Sequence, residues 1–283
     1  MASGDTGNVV PGNRLWVRVP CPPLGSRTMA AAAVLLGATI LGGSGRAADQ
    51  PPLLAVPGNV LFEDDFARDD MAPKWSAKGW TVAGGAAKAD ERATRAGGSG
   101  ATCKAEPRFV YHDVIVEFDF QFEATKVFHV EMKDKDFAGT HAGHICCMSI
   151  YPGEIRLSDY KHGVMENGNY ERLADKTLSK EEKLRLRDEL LATHSRLYPF
   201  TVEKGRWYRA RLEIVADEML LSIDGTPIGY IRAPGVDHAT RNIFGLTTRG
   251  TATHLRNVRV REATVDPGWA ARRDAVVGSL KRK

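Results

Sequence analysis

The stretch from Lys204 to Gly225 (KGRWYRARLEIVADEMLLSIDG) constrains the fold of this chain more than any other. Residues 207–215 alternate small or apolar side chains with polar or bulky ones, and residues 219–223 repeat the alternation after a short polar turn. A period of two residues predicts β-strands with one buried and one solvated face. The Asp224-Gly225 pair then predicts a hairpin turn, because glycine tolerates positive φ. A meander of hairpins cannot bury its apolar face alone, so we expect a second sheet to cover it and form a β-sandwich.

The same stretch resembles a known type of hairpin. A Gly-x-Trp opening, an alternating strand, a polar turn and a strand ending in Asp-Gly resemble the penultimate hairpin of concanavalin A-like jelly rolls. The block from Phe244 to Arg261 (FGLTTRGTATHLRNVRVR) resembles the closing strands of the 3-keto-disaccharide hydrolase domain family, which is also called family 16 glycoside hydrolase-like. The resemblance covers about residues 60–262. It implies a mainly β concanavalin A-like jelly-roll sandwich of two antiparallel sheets, and an activity on glycosidic bonds.

The N-terminus predicts export. Residues 29–43 (MAAAAVLLGATILGG) form an apolar run of the length of a signal-peptide core, shorter than the ~20 residues that a membrane span requires. Basic residues precede this run, and small residues that suit cleavage follow it at 45–48. The long polar leader before Met29 suggests that translation starts at Met29. We therefore expect a secreted or periplasmic protein without stable membrane insertion after signal cleavage; an uncleaved anchor is the alternative.

The rest of the chain divides by composition. We predict a leader at 1–48, a proline-rich linker at 49–59, a β-sandwich at 60–262 and a basic tail at 263–283. Charged residues make up 26% and hydrophobic residues 43% of the 283-residue chain, which is typical of a globular protein. The net charge of +4 is too small and too dispersed to indicate nucleic acid as a partner.

Cysteine spacing leaves two interpretations open. The mature chain would contain Cys103, Cys146 and Cys147. In an oxidising compartment, Cys103 could form a disulfide with one of the adjacent pair; buried thiols are the preferred interpretation. The spacing of these cysteines is unsuitable for a zinc site.

A metal site at His141 and His144 would need a carboxylate ligand from Asp134 or Asp136, and we predict neither metal nor cofactor.

Two segments in the middle of the chain carry further structural signals. Residues 110–132 predict two neighbouring antiparallel strands joined near Ala124, with alternating apolar residues inward. Residues 167–198 interrupt the β pattern. There, Ser179 followed by Glu182 predicts a capping box for one inserted helix over 180–194. Four aromatic residues of the first strands are predicted to fill the core: Phe62, Phe66, Trp75 and Trp80.

Candidate catalytic residues come from the polar sides of the middle strands. Glu117, Asp119 and Glu123 resemble the Glu-x-Asp-x-(x)-Glu strand of family 16 glycoside hydrolases, in which the first Glu is the nucleophile and the last the acid/base. However, Glu117 and Glu123 lie ~20 Å apart along a regular strand, because each residue rises ~3.3 Å. A glycosidase carboxyl pair stands about 5 to 9.5 Å apart. We therefore expect a pair across strands instead, with Glu117 or Asp119 opposite Glu131 or His129; a simply solvated face is the alternative.

Three further residues are predicted to bind substrate. Arg249 follows the Gly-Leu strand and could reach sugar hydroxyls, while Trp207 and Tyr160 could stack on a sugar ring. The leading hypothesis is an exported glycosidase-type hydrolase that acts on a plain or 3-keto-glycoside, with a saccharide or glycan as its partner. A non-catalytic lectin-like module and a structural sandwich are the alternatives, since fold does not determine function.

Overall fold

The computed structural model describes residues 53–94 and 100–281. The predicted leader, its apolar core and the first residues of the predicted linker lie outside the described residues. Thirteen strands and three α-helices make up the described part of the chain. The strands are β1 (Ala55–Asp64), β2 (Trp75–Lys78), β3 (Trp80–Ala83), β4 (Ala86–Asp90), β5 (Ala101–Ala105), β6 (Val114–Lys133), β7 (His144–Ile150), β8 (Glu154–Asp159), β9 (Ser195–Pro199), β10 (Trp207–Val215), β11 (Glu218–Ile223), β12 (Thr226–Arg232) and β13 (Ile243–Val265). The helices are α1 (Asn167–Ala174), α2 (Lys180–His194) and α3 (Trp269–Ser279), with short 3-10 turns at Glu91–Ala93 and His141–Gly143.

Two long strands organise the fold. β6 has 20 residues and β13 has 23, and they pair with each other antiparallel over most of their length. The first half of β6 and the second half of β13 belong to sheet 1, whose strand order is β12-β11-β10-β6-β13. The other edge of β13 pairs with β4 along one part and with β1 along the next, and β3 pairs with β4. The other halves of β6 and β13 belong to sheet 2, with order β9-β8-β7-β6-β13-β5-β2. The chain forms a mainly β, antiparallel sandwich with a helical segment inserted between β8 and β9, as the sequence predicted.

The core lies between the two sheets. Phe118 and Phe128 belong to different halves of β6, yet their ring centroids are 5.7 Å apart, because the strand folds over and brings its inward side chains face to face. The predicted aromatic core residues Phe62, Phe66, Trp75 and Trp80 are all buried in this cluster.

Several local predictions are confirmed. The hairpin of residues 204–225 becomes β10 and β11, with turns at the predicted places. α2 covers the predicted residues, and Ser179 and Glu182 form both hydrogen bonds of the capping box. Among the three described cysteines none forms a disulfide; all are buried thiols, so the preferred interpretation holds.

Three local expectations are wrong. Residues 114–133 form one continuous strand rather than two neighbours, because β6 bends near Ala124 without reversing direction. The segment 167–198 holds two helices and strand β9 instead of a single helix. The predicted solvated face of β10 and β11 is covered at its far end, where Leu54, Ala55 and Trp269 form a second apolar cluster against it.

Within the described part of the chain, none of the helices has the length and apolar character needed to cross a bilayer.

Candidate functional site: the outward face of sheet 2

The seven predicted site residues fall on the outward faces of two different sheets. Glu117, Asp119 and Trp207 lie on sheet 1, and their strand partners are Arg211, Arg209 and Gln121. His129 and Glu131 lie on sheet 2, and their partners on β7 are Ser149 and Cys147. The predicted pairing of Glu117 or Asp119 with Glu131 or His129 is therefore wrong. One strand carries both sets, so they cannot be cross-strand neighbours.

On sheet 1, the predicted carboxylates are enclosed by arginines. Glu117 is 1% exposed, and its Oε1 lies 3.4 Å from Arg211 Nη1 and 3.5 Å from Arg209 Nη2. Asp119 accepts hydrogen bonds from Arg256 Nε at 3.1 Å and Asn257 Nδ2 at 2.8 Å. We call the ion pairs that Glu117 and Asp119 form with Arg209, Arg211 and Arg256 the Arg211 lattice. It leaves little of Glu117 in reach of a substrate.

Trp207 also belongs to the surface of sheet 1. The Arg256 guanidinium lies 4.2 Å from the centroid of the indole ring. The His254 ring packs edge-on at 6.4 Å. One side of the indole is therefore already occupied by a cation, and the residue lies apart from Glu131.

On sheet 2, two rows of residues run across the strands. One row joins Thr247, His129 and Ser149 on β13, β6 and β7, and the next joins Gly245, Glu131 and Cys147. We call these six residues the Glu131 face. They point away from the core, because the alternating residues Val130 and Met132 lie in the core cluster. α2 contacts β8 and β9 beside this face.

Glu131 is the best-placed carboxylate on this face. Its Oε2 accepts a hydrogen bond from Thr247 Oγ1 at 3.1 Å and lies 2.9 Å from Lys133 Nζ. Burial raises the pKa of Glu131, but the Lys133 ammonium, the charge that His144 gains in acid and the hydrogen bond from Lys133 outweigh burial. The pKa therefore lies below its ordinary value of 4.5. The side chain keeps 12% exposure, so an ionised carboxylate is held in a fixed orientation within reach of solvent.

His129 lies one row away from Glu131. Its Nδ1 is 2.8 Å from Ser149 Oγ. Burial lowers the pKa of His129, and the charges of Arg156 and Arg249 lower it further against the opposing effect of Glu131. Arg249, predicted to bind substrate, is thus close enough to act on this imidazole. At neutral pH the ring is uncharged and can donate or accept a hydrogen bond.

Tyr160 and His144 border the Glu131 face, to which Cys147 belongs. The Tyr160 and His144 rings meet edge to face with centroids 5.8 Å apart. Burial raises the pKa of Tyr160 far above its ordinary value, and burial likewise raises the pKa of Cys147 to about 12. Cys147 is consequently a neutral thiol rather than a nucleophile at physiological pH.

The structure brings together four of the seven predicted residues: His129, Glu131, Tyr160 and Arg249. Sequence reasoning missed Lys133 and Thr247, which hold Glu131. Lys133 had a signal, since it follows Glu131 by two residues and so shares its side of the strand. Thr247 had none, because its position depends on the β6–β13 register.

A metal ion has no ready site here. In the described ranges, no three His, Cys, Asp or Glu side chains come together as metal ligands. His141 instead stacks on Tyr170, with ring centroids 3.7 Å apart. Asp134 accepts hydrogen bonds from Thr240 and Asn242. A separate pocket of about 570 Å³ lies at α3, lined by Tyr230 and Arg273, and contains none of the predicted residues.

Comparisons with known proteins found similar solved structures at low sequence identity. No protein-family model and no curated protein sequence matches this chain. Among solved structures, it is similar to an endo-β-1,3-glucanase from Pyrococcus furiosus (TM-score 0.48, 11% identity, 76% of this chain and 100% of that chain). It is similar to the carbohydrate-binding module CBM66 from Bacillus subtilis (TM-score 0.41, 12% identity, 68% and 98%). It is also similar to a sialidase (TM-score 0.47, 12% identity), matching 75% of this chain but only 19% of that one.

Proposed function

We propose that this chain is a carbohydrate-active protein that binds a saccharide on the Glu131 face and cleaves the glycosidic bond of a 3-keto-glycoside. The observation that carries the proposal is the ionised, partly exposed Glu131 held between Lys133 and Thr247. The sequence resemblance to the 3-keto-disaccharide hydrolase domain family supports the substrate class.

The number of carboxylates on sheet 2 favours a keto-sugar over a plain glycoside. Among the described strands of this sheet, the carboxylates are Glu131, Glu154 and Asp159. Asp159 is 1% exposed and is held by His162 and Gly235. Ser158 of β8 lies in the same cross-strand row as Glu131. Glu154 is four residues away from Ser158 along β8, a distance of ~13 Å along the strand. Neither carboxylate can complete a pair at the 5 to 9.5 Å that plain glycoside hydrolysis requires.

A single carboxylate suffices when the sugar carries a ketone at C3. The ketone acidifies the hydrogen on C2, so a positioned base can remove that proton. In the proposed reaction, the C2 proton goes to Glu131 and an enolate forms on the C3 oxygen, where the Lys133 ammonium is the nearby cation. The C1–oxygen bond to the leaving group then breaks as C1=C2 forms, and the leaving oxygen takes a proton from water. The hydroxide left from that water adds to C1 and Glu131 returns its proton to C2, which completes a net hydrolysis and regenerates the carboxylate.

The test is turnover of four disaccharides (cellobiose, laminaribiose, maltose and lactose) and their 3-keto derivatives. We expect cleavage of at least one 3-keto derivative, and a kcat at least about 100-fold lower in Glu131→Gln, since a general base contributes about 10²–10⁴-fold. Because Glu131 must be ionised and its pKa lies below 4.5, kcat should fall with acid only below that pH. Glu154→Gln, a change of the same kind on the same sheet, should leave kcat unchanged.

The alternative function is a glycan-binding module on the same face. The observation that favours it is that Glu131 Oε2 already has two partners, which orients the carboxylate as a hydrogen-bond acceptor for a sugar hydroxyl. Binding of a disaccharide without turnover of any 3-keto derivative would select this alternative. Full turnover in Glu131→Gln would remove Glu131 as the base, and no binding of any sugar would refute both functions.

A further inference from the structure

Two side-chain atoms beside Lys133 face each other without a hydrogen bond between them. His144 Nδ1 lies 3.9 Å from Glu131 Oε1, which is too long for a direct hydrogen bond. The other carboxylate oxygen, Oε2, is the one that Lys133 and Thr247 contact.

His144 is buried although this nitrogen has no partner. The side chain is 9% exposed, and Nδ1 has no hydrogen-bond partner among the described residues. An unpartnered buried polar atom costs about 1–3 kcal/mol, so such atoms are rare unless they serve a ligand or water. Nδ1 itself is closed to solvent, whereas the neighbouring Glu131 side chain is 12% exposed, so a ligand has to enter from the Glu131 side.

An irregularity in the sheet places His144 beside Glu131. The β6–β7 ladder shifts register between Met132 and Lys133, and His144 then pairs with Lys133. Such bulges re-aim side chains and are common next to functional sites. Without this shift, strict alternation along β7 would turn His144 to the opposite side of the strand from Cys147.

We propose that Glu131 Oε1 and His144 Nδ1 together form a subsite for a single saccharide hydroxyl group. The hydroxyl donates a hydrogen bond to Glu131 Oε1 and accepts one from the N–H of His144 Nδ1. An oxygen at ~2.8 Å from each atom spans the 3.9 Å between them. His144 is then a binding and positioning residue, and the subsite rests on the proposed function for the identity of its occupant.

The protonation state of His144 suits a neutral hydroxyl. Burial lowers the pKa of His144 to about 4 against the opposing effect of Glu131, while Lys133, His141 and His129 lower it further. At neutral pH the imidazole therefore carries one N–H and no charge. The one carboxylate of the subsite, Glu131, is already neutralised by the Lys133 ammonium, so it offers little attraction to a cationic ligand. The subsite thus favours an uncharged sugar over an amine.

The first test does not depend on any sugar. A crystal structure of the sugar-free protein at better than about 1.5 Å should place one water oxygen within hydrogen-bond distance of both His144 Nδ1 and Glu131 Oε1. A direct His144–Glu131 hydrogen bond, or an imidazole turned towards another protein acceptor, would overturn the subsite. This result stands even if the proposed function fails.

The second test compares two substitutions of His144 by the Kd for the eight sugars named above. Phenylalanine keeps the ring but has no nitrogen, whereas the asparagine amide can place a donor near the position of Nδ1. We expect His144→Phe to weaken binding about tenfold, equivalent to about 1.4 kcal/mol, and His144→Asn to retain most of the affinity. His141→Phe, at an exposed position stacked on Tyr170, should leave Kd unchanged.

The melting temperature separates a binding role from a structural one. Because His144→Phe removes an unpartnered buried nitrogen, Tm of the sugar-free variant should stay the same or rise. A lower Tm with unchanged Kd would show that His144 only supports the fold and would overturn the proposal. If none of the sugars binds the wild-type protein, the proposed function fails, and with it the assignment of a saccharide to this subsite.

Discussion

Glu117 and Glu131 are the same residue type on the same side of one strand, yet their surroundings differ. Glu117 lies in the Arg211 lattice and is 1% exposed, whereas Glu131 is 12% exposed beside a single lysine. The difference comes from the neighbouring strands. β10 supplies Arg209 and Arg211 next to Glu117, while β7 supplies Cys147 next to Glu131. At the residue scale, partners rather than residue type therefore separate a structural carboxylate from a candidate functional one.

This difference predicts a stability defect for Glu117→Gln. The substitution removes one of two buried carboxylates beside Arg211, which is itself 2% exposed and still contacts Glu213 at 3.2 Å. Losing this charged hydrogen bond should cost about 2 kcal/mol. Urea unfolding would measure the change. Glu123→Gln, on the same strand with a 38% exposed side chain, should cost under about 0.5 kcal/mol. Equal stability of both variants would contradict the structural role of the Arg211 lattice.

At the scale of elements, the sandwich depends on how β6 and β13 pass from one sheet to the other. Their ladder shifts register between Arg249, which pairs with Val127, and Gly250, which pairs with Thr125. Gly250 has a φ of +91°, and a Cβ there would lie 2.4 Å from the Ala124 carbonyl oxygen. A glycine is needed at this crossing, because both its backbone conformation and the close approach of β6 exclude a side chain.

Gly250→Ala should therefore destabilise the fold by about 3 kcal/mol, from backbone strain together with the clash against β6. Thermal unfolding followed by circular dichroism would detect this as a lower Tm. The matched control is Gly153→Ala, where the added methyl group meets nothing within 4 Å and φ is ordinary. If Gly250→Ala unfolds at the wild-type temperature, the crossing is more adaptable than its geometry indicates.

At the scale of the whole molecule, a second apolar cluster joins the beginning and the end of the described chain. Trp269 at the start of α3 packs with Leu54 and Ala55, at the start of β1, against the outward side of sheet 1. Its indole N–H donates to Glu218, whose other oxygen accepts from Tyr230. α3 is therefore an integral layer of the fold, which explains why the far end of β10 and β11 is buried on both faces.

Trp269→Ala should cost about 4 kcal/mol, since it removes a fully buried aromatic side chain and leaves a Glu218 oxygen without its donor. Urea unfolding followed by circular dichroism would measure the loss. Trp207→Ala, the same substitution at the half-buried site under Arg256, should cost about 1 kcal/mol. A loss for Trp269→Ala no larger than this would indicate that α3 is only loosely attached.

The sequence by itself determined the features that depend on local periodicity and turn chemistry. The alternation in 204–225, the Asp224-Gly225 turn and the Ser179–Glu182 capping box all concern residues within a few positions of one another, and each appears where predicted. The sandwich followed from them, because alternating strands must bury one face. Because His129 and Glu131 are two residues apart on one strand, the sequence also predicted that they lie on the same side of it.

Only the tertiary structure decided which groups meet. Whether residues 114–133 reverse or run on as one strand depends on their pairing with β13, more than 100 residues away, and this pairing sent Glu117 and Glu131 to different sheets. The Thr247 contact to Glu131 and the register shift that turns His144 towards it also arise between strands. Local sequence patterns indicate which side of a strand faces the core but do not choose among the registers that keep that side inward, because the backbone hydrogen bonds that pair two strands are the same in each of them.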